Sequence, residues 1–405
     1  MLKFTKKILT NETLLWMRSS HRHLSSAVGA GTGFIAVHHH PRHLEVEYDG
    51  EPLKLSYLWL RDHCRCEACY NHKTFQRKIM YYDIDPSVKP TVADINNEKL
   101  TLKWPDSHET NYSLSWLRDN CGVNLGQASE GRVEKYLWNT ARINEQPAER
   151  VKLSDFLNDD ESLKLFLTNL LKYGHAFIDE VKPDIESTQI ASERICSVME
   201  TTFGKMWSFT ADGKRADTAY TNHAIGAHTD STYYQHTTGI QVFHCLYHDG
   251  DGGESLLVDG HYCAEELRKT NPDAFNLLAN TPVHHEYIDE GSRDHIFSLA
   301  PILDLHPFTK QLIQIRYNNY DRSALKTIPQ DVIDEYYEAL KSLTSIIHNK
   351  QNEYWLKLKP GTVMFVDNFR NLHGRSSFNG KRVVCGNYLA RDDWLSRARY
   401  LGLTV

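Results

Sequence analysis

The sequence predicts a mostly β protein with flanking helices, in which a small β-rich domain precedes a larger antiparallel barrel or sandwich. Short alternating runs of apolar and polar residues fill 43–60 and 90–117. Many further runs of strand length follow residue 174, and no regular alternation of strands with helices accompanies them. This pattern argues against a doubly wound parallel sheet and favours antiparallel sheets covered by helices.

Four segments are predicted in chain order. Residues 1–40 form a presequence, 41–125 a β-rich domain, 126–150 a polar linker and 151–405 the larger domain. No internal repeat is expected in the chain.

Helices and strands of the larger domain follow from its apolar spacing. We expect a helix over 154–172 with Ser154 as N-cap, and a second over 185–203. Two further helices are expected near 261–279 and 329–348. Strands are expected in HAFIDEV, GIQVFHCLY, ESLLVDG, QLIQIRYNN, GTVMFVDN and RVVCGNYLA.

The amino-terminal segment is basic, rich in serine and poor in acids. It carries five cations against the single acid Glu12, namely Lys3, Lys6, Lys7, Arg18 and Arg22. This composition is typical of a mitochondrial presequence and predicts the mitochondrial matrix as the location; a disordered basic tail is the alternative. The run HHHPRH at 38–43 is interpreted as the surface end of a linker rather than a metal site.

The bulk composition excludes some classes of partner. A formal net charge of −6 over 405 residues gives no electrostatic basis for binding nucleic acid. No apolar run approaches the roughly 18 residues that span a bilayer, so we expect a soluble protein without a membrane partner. A small-molecule site is therefore the expected kind of binding site.

Three cysteines crowd into one short segment. Cys64, Cys66 and Cys69 lie close enough for one loop to wrap them around a single ion, and His108 belongs to the same predicted domain. Three thiolates and one imidazole would complete a closed, structural zinc site. Reduced surface cysteines without metal are the alternative, and His63 and His72 are nearer candidates in sequence for the fourth ligand.

A second metal site is predicted in GAHTDSTYY. His228 and Asp230 lie two residues apart, so on an extended segment their side chains point the same way. His373, placed after the apolar run GTVMFVDN, would complete the two-histidine, one-carboxylate set of non-haem iron oxygenases. Arg382 follows nine residues later, where its guanidinium suits the distal carboxylate of 2-oxoglutarate.

Longer stretches around these motifs resemble a known family. GAHTDSTYYQHTTGIQVFHCLYHDGDGGESLLVDGHY and DNFRNLHGRSSFNGKRVVCGNYLARDDW are similar to the catalytic core of the 2-oxoglutarate-dependent dioxygenases of carnitine biosynthesis. LWLRDHCRCEACYN with WPDSH resembles their N-terminal zinc domain, and the similarity runs from about residue 43 to the C-terminus. The resemblance implies a double-stranded β-helix (jelly-roll) core with His228, Asp230 and His373 as iron ligands.

The resemblance also implies cofactors, a substrate and an assembly. Fe(II), 2-oxoglutarate as cosubstrate, ascorbate as reductant, structural zinc and a homodimer are expected. Arg382 would anchor 2-oxoglutarate and Ser255 would lie near the same carboxylate, although a strand-capping serine is an equal alternative for Ser255. Of the family's two substrates, KMWSFTADGKRADTAYT and IRYNNYDRSA favour trimethyllysine over γ-butyrobetaine. The expected reaction is hydroxylation of the trimethyllysine β-carbon by dioxygen.

Alternative functions are γ-butyrobetaine hydroxylation and a zinc-bearing interaction protein with a catalytically silent barrel.

The resemblance also implies how trimethyllysine is bound. Its quaternary ammonium would lie in an aromatic cage formed by Phe203, Trp207, Tyr220 and Tyr388. Packing in the core is the alternative for each of these rings. Phe203 and Trp207 would share a face if they lay on a helix. Asp217 would bind the α-ammonium group, and Asn318 the substrate carboxylate.

Overall fold

A computed structural model describes residues 37–48, 50–121, 131–210 and 221–404. The chain divides into two compact units, one within residues 1–124 and one within residues 125–405. Most of the predicted presequence lies outside the described residues, and so do Asp217 and Tyr220. In the described parts of the chain, no helix is both long and apolar enough to cross a membrane.

The first unit contains two three-stranded antiparallel sheets, and each is followed by a short helix. The first sheet comprises β1 (Val37–His39), β2 (His43–Tyr48) and β3 (Glu51–Ser56), followed by α1 (Tyr57–Asp62). The remaining elements are β4 (Tyr70–Asn71), β5 (Gln76–Arg77), a 3-10 turn (Tyr81–Asp83), β6 (Val92–Asn96), β7 (Lys99–Lys103), β8 (Glu109–Ser113) and α2 (Leu114–Asn120).

These two β-β-β-α segments share a sequence motif, which corrects the expectation that the chain has no internal repeat. Residues 56–64 read SYLWLRDHC and residues 113–121 read SLSWLRDNC. Ser56 and Ser113 each cap a helix by accepting a hydrogen bond from the backbone N–H of the tryptophan three residues later. The motif was visible in the sequence, and the equivalent helix starts show that it has a structural basis.

The second unit is built on two antiparallel-dominated sheets. Its strands are β9 (Val151–Lys152), β10 (His175–Asp179), β11 (Trp207–Phe209), β12 (Ile225–His228), β13 (Ile240–His248), β14 (Ser255–Asp259), β15 (Val283–Asp289), β16 (Asp294–Ala300), β17 (Leu303–Leu305), β18 (Leu312–Ile315), β19 (Tyr354–Leu356), β20 (Thr362–Asp367), β21 (Asn371–Arg375) and β22 (Arg382–Leu389). One of the two sheets has the strand order β11-β22-β13-β20-β10-β9 and the other has the order β12-β21-β14-β19. Strands β15 and β16 form a separate hairpin, as do β17 and β18.

Helices cover the outer faces of the sheets. They are α3 (Thr140–Glu145), α4 (Leu153–Asn158), α5 (Asp160–Tyr173), α6 (Ile185–Glu193), α7 (Gly260–Thr270), α8 (Pro272–Asn280), α9 (Ile333–Ile347) and α10 (Arg391–Tyr400). Phe166 of α5 and Trp394 of α10 pack in one core with Val242 and Phe365 of the larger sheet. Because helices bury one face of this sheet and the second sheet faces the other, its central strands are mostly buried on both sides.

Several predicted helix boundaries are wrong. The helix expected over 154–172 is two helices, because Asp159 interrupts the run and caps α5 by accepting from the N–H groups of Glu161 and Ser162. Ser154 lies inside α4, whose N-cap is Lys152. The helix expected over 185–203 ends at Glu193.

The segment 126–150, expected to be a linker, is partly helical and partly buried where the structure describes it. It contains α3, and Trp138 and Ile143 within it are buried in the core of the second unit. The indole N–H of Trp138 donates to the carbonyl of Tyr173 at 2.7 Å. The polar composition of this segment led to the linker prediction, although Trp138 and Ile143 anchor it in the core.

Candidate active site

A cavity of about 420 Å³ opens between the two sheets of the second unit. The larger sheet contributes side chains from β13, β20 and β22, and the smaller sheet contributes them from β12, β14 and β21. The predicted site residues that line it are Phe203, Trp207, His228, Asp230, Ser255, Asn318, His373, Arg382 and Tyr388. The structure therefore brings together residues that are up to 185 positions apart in the chain.

His228, Asp230 and His373 converge at the wall of this cavity. His228 ends β12 and pairs directly with His373 in the antiparallel register of β12 and β21. The Nε2 atoms of His228 and His373 lie 3.2 and 3.6 Å from Oδ1 of Asp230. His373 thus lies inside its own strand, not at the end of the apolar strand before it, and Asp230 lies beyond the end of β12.

Hydrogen bonds orient the two side chains of the His-x-Asp motif. His228 Nδ1 donates to the carbonyl of Gly226 at 2.8 Å, which leaves Nε2 as the lone-pair nitrogen facing Asp230. The Tyr388 hydroxyl donates to Oδ2 of Asp230 at 2.9 Å, which leaves Oδ1 to face the two imidazoles. The three ligand atoms are therefore aimed at one point.

Asn368, which was not singled out from the sequence, fixes the backbone of Asp230. Its side-chain Oδ1 accepts from the Asp230 N–H at 2.8 Å, and its Nδ2 donates to the Asp230 carbonyl at 2.9 Å. The same Nδ2 also reaches the carbonyl and hydroxyl of Thr238, both at 3.1 Å. Asn368 is fully buried, so this amide holds the start of the turn at Ser231, whose φ is +58°.

The protonation states of Asp230 and His373 suit metal binding. Burial raises the pKa of Asp230, but the neighbouring His373 and His228 outweigh burial and hold that pKa well below its usual range. Burial and, after it, the neighbouring His228 lower the pKa of His373 to about 3, against an opposing effect of Asp230. A carboxylate and a neutral imidazole are the forms that bind a metal.

The ligand set fits non-haem Fe(II). Two imidazole nitrogens and one carboxylate oxygen lie within 4.8 Å of one another, and the open side of the cluster faces the cavity. A two-histidine, one-carboxylate set with open positions is the arrangement used by non-haem Fe(II) oxygenases.

Arg382 supplies a buried cation in the same cavity. It opens β22 and is 7% exposed, and its guanidinium lies 5.4 Å from the centre of the Phe378 ring. Within the described residues, no carboxylate lies within ion-pair distance of Arg382. Because a buried charge without a partner is costly, this guanidinium fits an anionic ligand. Ser255 begins β14 and lines the same cavity.

Aromatic side chains form two groups on the cavity wall. Trp207 lies 6.0 Å from Tyr388, ring centre to ring centre, and Phe203 lies 5.8 Å from Tyr287. Tyr287 also stacks on Tyr233 at 4.9 Å. Phe203 lies in a turn and Trp207 in β11, so the expectation that they share a helix face is wrong. Tyr233 and Tyr287 lacked any sequence signal that linked them.

Asn318 is committed to contacts within the protein. Its two amide hydrogens go to the carbonyl of Thr229 at 3.2 Å and to Oδ2 of Asp321 at 2.7 Å. Its Oδ1 accepts from the backbone N–H of Tyr320 at 2.9 Å. A contact between this amide and a substrate carboxylate would therefore have to replace one of these hydrogen bonds.

The cysteine cluster of the first unit is assembled as the sequence suggested. Sγ of Cys64, Cys66 and Cys69 lie 3.2, 3.5 and 3.4 Å from Nε2 of His108. A tetrahedral Zn²⁺ with usual bond lengths would place a sulfur and a nitrogen ligand about 3.6 Å apart. The four side chains therefore fit a closed zinc site.

Comparisons with known proteins find matches to both units of the chain. The family described as taurine catabolism dioxygenase TauD, TfdA family matches residues 139–388, and gamma-butyrobetaine hydroxylase-like, N-terminal matches residues 35–127. A mitochondrial trimethyllysine dioxygenase of Mus musculus is 46% identical over 90% of this chain and 87% of its own length. The corresponding protein of Gallus gallus is 46% identical over 90% of this chain and 87% of its own length.

A gamma-butyrobetaine dioxygenase of Pongo abelii is more distant, at 27% identity over 87% of this chain and 92% of its own length. The predicted jelly-roll dioxygenase fold and the predicted enzyme class are confirmed by these matches. The chain belongs to the TauD, TfdA family of dioxygenases and, within it, to the trimethyllysine dioxygenases.

Proposed function

We propose that this enzyme hydroxylates the β-carbon of N6,N6,N6-trimethyllysine, coupled to oxidative decarboxylation of 2-oxoglutarate, as the first step of carnitine biosynthesis. The observation that carries the proposal is the 46% identity with trimethyllysine dioxygenases over 90% of the chain. The cavity adds support, because it combines a metal-ligand set, an anion-binding guanidinium and an aromatic wall.

His228, Asp230 and His373 would hold Fe(II), and Arg382 with Ser255 would bind 2-oxoglutarate. Fe(II) with 2-oxoglutarate supplies the oxidation of a C–H bond by dioxygen, with release of succinate and carbon dioxide. Arg382 contributes charge and direction, since its fork of N–H donors matches a carboxylate. The buried cavity limits access of water to the reacting groups.

The substrate's quaternary ammonium has no N–H to donate, so its binding depends on aromatic faces. Phe203, Trp207 and Tyr388 line the cavity and would form the cage together with Tyr220. Gly386 makes room for this wall, because a Cβ at that position would lie 2.3 Å from the Trp207 ring. Asp217 would bind the α-ammonium group and Asn318 the carboxylate, as the resemblance implies.

Zinc in the cysteine cluster, ascorbate as reductant, a homodimer and a location in the mitochondrial matrix complete the proposal. The zinc assignment is supported by the four converging ligand atoms in the first unit. The location is supported by the basic amino-terminal segment and by relatives whose names include "mitochondrial".

The two family substrates test the proposal directly. The protein is incubated with Fe(II), 2-oxoglutarate, ascorbate and either trimethyllysine or γ-butyrobetaine, and products are measured by mass spectrometry. We expect one added oxygen on the β-carbon of trimethyllysine and an equal amount of succinate. We expect kcat/KM for γ-butyrobetaine to be about 100-fold lower, because it lacks the α-ammonium group.

Omitting 2-oxoglutarate is the matched control and should stop both products. A preference for γ-butyrobetaine would replace the proposal with the alternative hydroxylase. No turnover of either substrate by iron-loaded protein would favour the silent interaction protein instead.

A further inference from the structure

Two histidines and a glutamate of the first unit form a further cluster of metal-ligating side chains. Among the described residues, three groups of at least three such side chains have their ligand atoms within 4.8 Å of one another. Two of these groups are the cysteine cluster and the candidate iron ligands. The third comprises His40, His43 and Glu45. It has no part in the proposed reaction.

This third cluster lies at a hairpin turn. The segment 38–43, expected to be the surface end of a linker, contains the end of β1, a turn and the start of β2. The backbone N–H of His40 donates to the carbonyl of His43 at 3.0 Å, which closes the turn. The two strands pair in antiparallel register beside it, with His39 opposite Leu44. The hairpin therefore keeps His40 and His43 close together.

The three side chains of the cluster face one another. The rings of His40 and His43 are stacked, with centres 4.2 Å apart and planes inclined by 7°. Nε2 of His40 lies 3.7 Å from Oε2 of Glu45. His43 and Glu45 are two residues apart in β2, so their side chains leave the strand on the same face. The side chains of His40 and Glu45 are 40% and 39% exposed, so an imidazole can rotate out of the stack toward a shared ion without displacing the core.

Two imidazoles and one carboxylate are ligands that suit zinc. Zn²⁺ binds histidine nitrogens and carboxylate oxygens, and two histidines with one glutamate occur as a zinc ligand set with an open fourth position. Zinc also binds nitrogen and oxygen ligands more tightly than Fe²⁺ does. Because this cluster lacks thiolates, it should hold zinc more weakly than the cysteine cluster and exchange it with the solvent.

We propose that His40, His43 and Glu45 form an exchangeable zinc site on the β1–β2 hairpin of the first unit. The inference is independent of the proposed reaction. An ion bound there joins the turn to β2 and stabilises this edge of the sheet, because it binds the folded hairpin. Lys54 lies directly opposite Glu45 in the pairing of β2 with β3, so its charge opposes the binding of a cation.

The test measures zinc binding by isothermal titration calorimetry on the full-length chain. The protein retains Val37, because the predicted presequence overlaps β1, and all variants carry His228→Ala to disable the candidate iron site. Dialysis against zinc-free buffer first empties the exchangeable site and leaves zinc in the cysteine cluster. We expect one added zinc ion per chain whose binding depends on His43. His43→Asn should weaken it at least about 100-fold, because loss of a group that only orients a metal ligand already costs about 10- to 100-fold.

His39→Asn is the matched control, because it removes a histidine of the same segment that contacts the Tyr57 hydroxyl at 3.1 Å and lies outside the cluster. Its zinc affinity should stay within about threefold of the background protein, as for an ordinary surface substitution. Lys54→Met should strengthen zinc binding about two- to fivefold, the range for an exposed pair of charges. Unchanged circular dichroism without zinc checks that each variant is folded. Equal weakening by His39→Asn and His43→Asn would identify adventitious binding to a histidine-rich segment and overturn the inference, as would undiminished binding in His43→Asn.

Discussion

The cysteine cluster and the cluster of His228, Asp230 and His373 differ in how many ligands the protein supplies. In the first unit, three thiols and one imidazole surround a single point, so zinc there would have no open coordination position. In the second unit, two imidazoles and one carboxylate lie on one side of the metal position, and a cavity of about 420 Å³ lies on the other. The difference in ligand number separates a cluster suited to stability from one suited to chemistry.

The clusters also differ in what holds their ligands in place. Three of the four candidate zinc ligands lie within six residues, and the chain that follows them has exposed side chains such as Phe75 and Tyr81. The candidate iron ligands lie on or beside paired strands, and hydrogen bonds with Asn368 and Tyr388 orient Asp230. Loss of metal should therefore disturb the fold of the first cluster and leave the second largely folded.

The largest effect is expected from removing a zinc ligand. Cys64→Ser should lose the zinc ion and destabilise the first unit by much of the roughly 10 kcal/mol that zinc contributes in small zinc-binding domains. Zinc content by elemental analysis and thermal unfolding are the measurements. Cys121→Ser is the matched control, because Cys121 occupies the equivalent position of the repeat and lies outside the cluster. Zinc retained at one ion per chain in Cys64→Ser would contradict the assignment.

Removing an iron ligand should instead affect chemistry. His228→Ala should lower trimethyllysine-dependent succinate release about a thousandfold or more, with little change in the melting temperature, because the paired strands remain. Succinate and bound iron are measured in parallel. His236→Ala, an exposed histidine eight residues later, should behave as wild type. Retained substrate-dependent succinate release in His228→Ala would remove the iron assignment.

The sequence predicted which side chains converge in both clusters, because their residue types are few and their chemistry is specific. It did not predict how those ligands are held. Asn368 follows a strand in a segment that resembles an ordinary turn, and its partners Asp230 and Thr238 lie 138 and 130 residues away. Contacts at that separation depend on the pairing of strands, which residue spacing does not encode.

Local features were predicted unevenly for a similar reason. Strands such as β13 and β20 follow from continuous apolar runs, whereas the helix expected over 154–172 was divided by the capping carboxylate of Asp159. Tyr233, unexplained from the sequence, stacks on Tyr287 in the cavity wall. The repeated SxxWLRDxC motif is the exception, because it could be read directly from the sequence.

Substitution of Tyr388 has the smallest expected effect, and it separates two roles of one side chain. The ring faces the cavity, while the hydroxyl donates a hydrogen bond to Asp230. Tyr388→Phe keeps the ring and removes the hydrogen bond, so Mn(II) affinity, measured by electron paramagnetic resonance, should weaken about 10-fold. Trp207→Leu should have the opposite pattern, with unchanged Mn(II) affinity and weaker trimethyllysine binding, because only the aromatic face is lost. If Tyr388→Phe leaves Mn(II) affinity unchanged, the hydroxyl does not orient the ligand, and strand pairing alone distinguishes this cluster from the cysteine cluster.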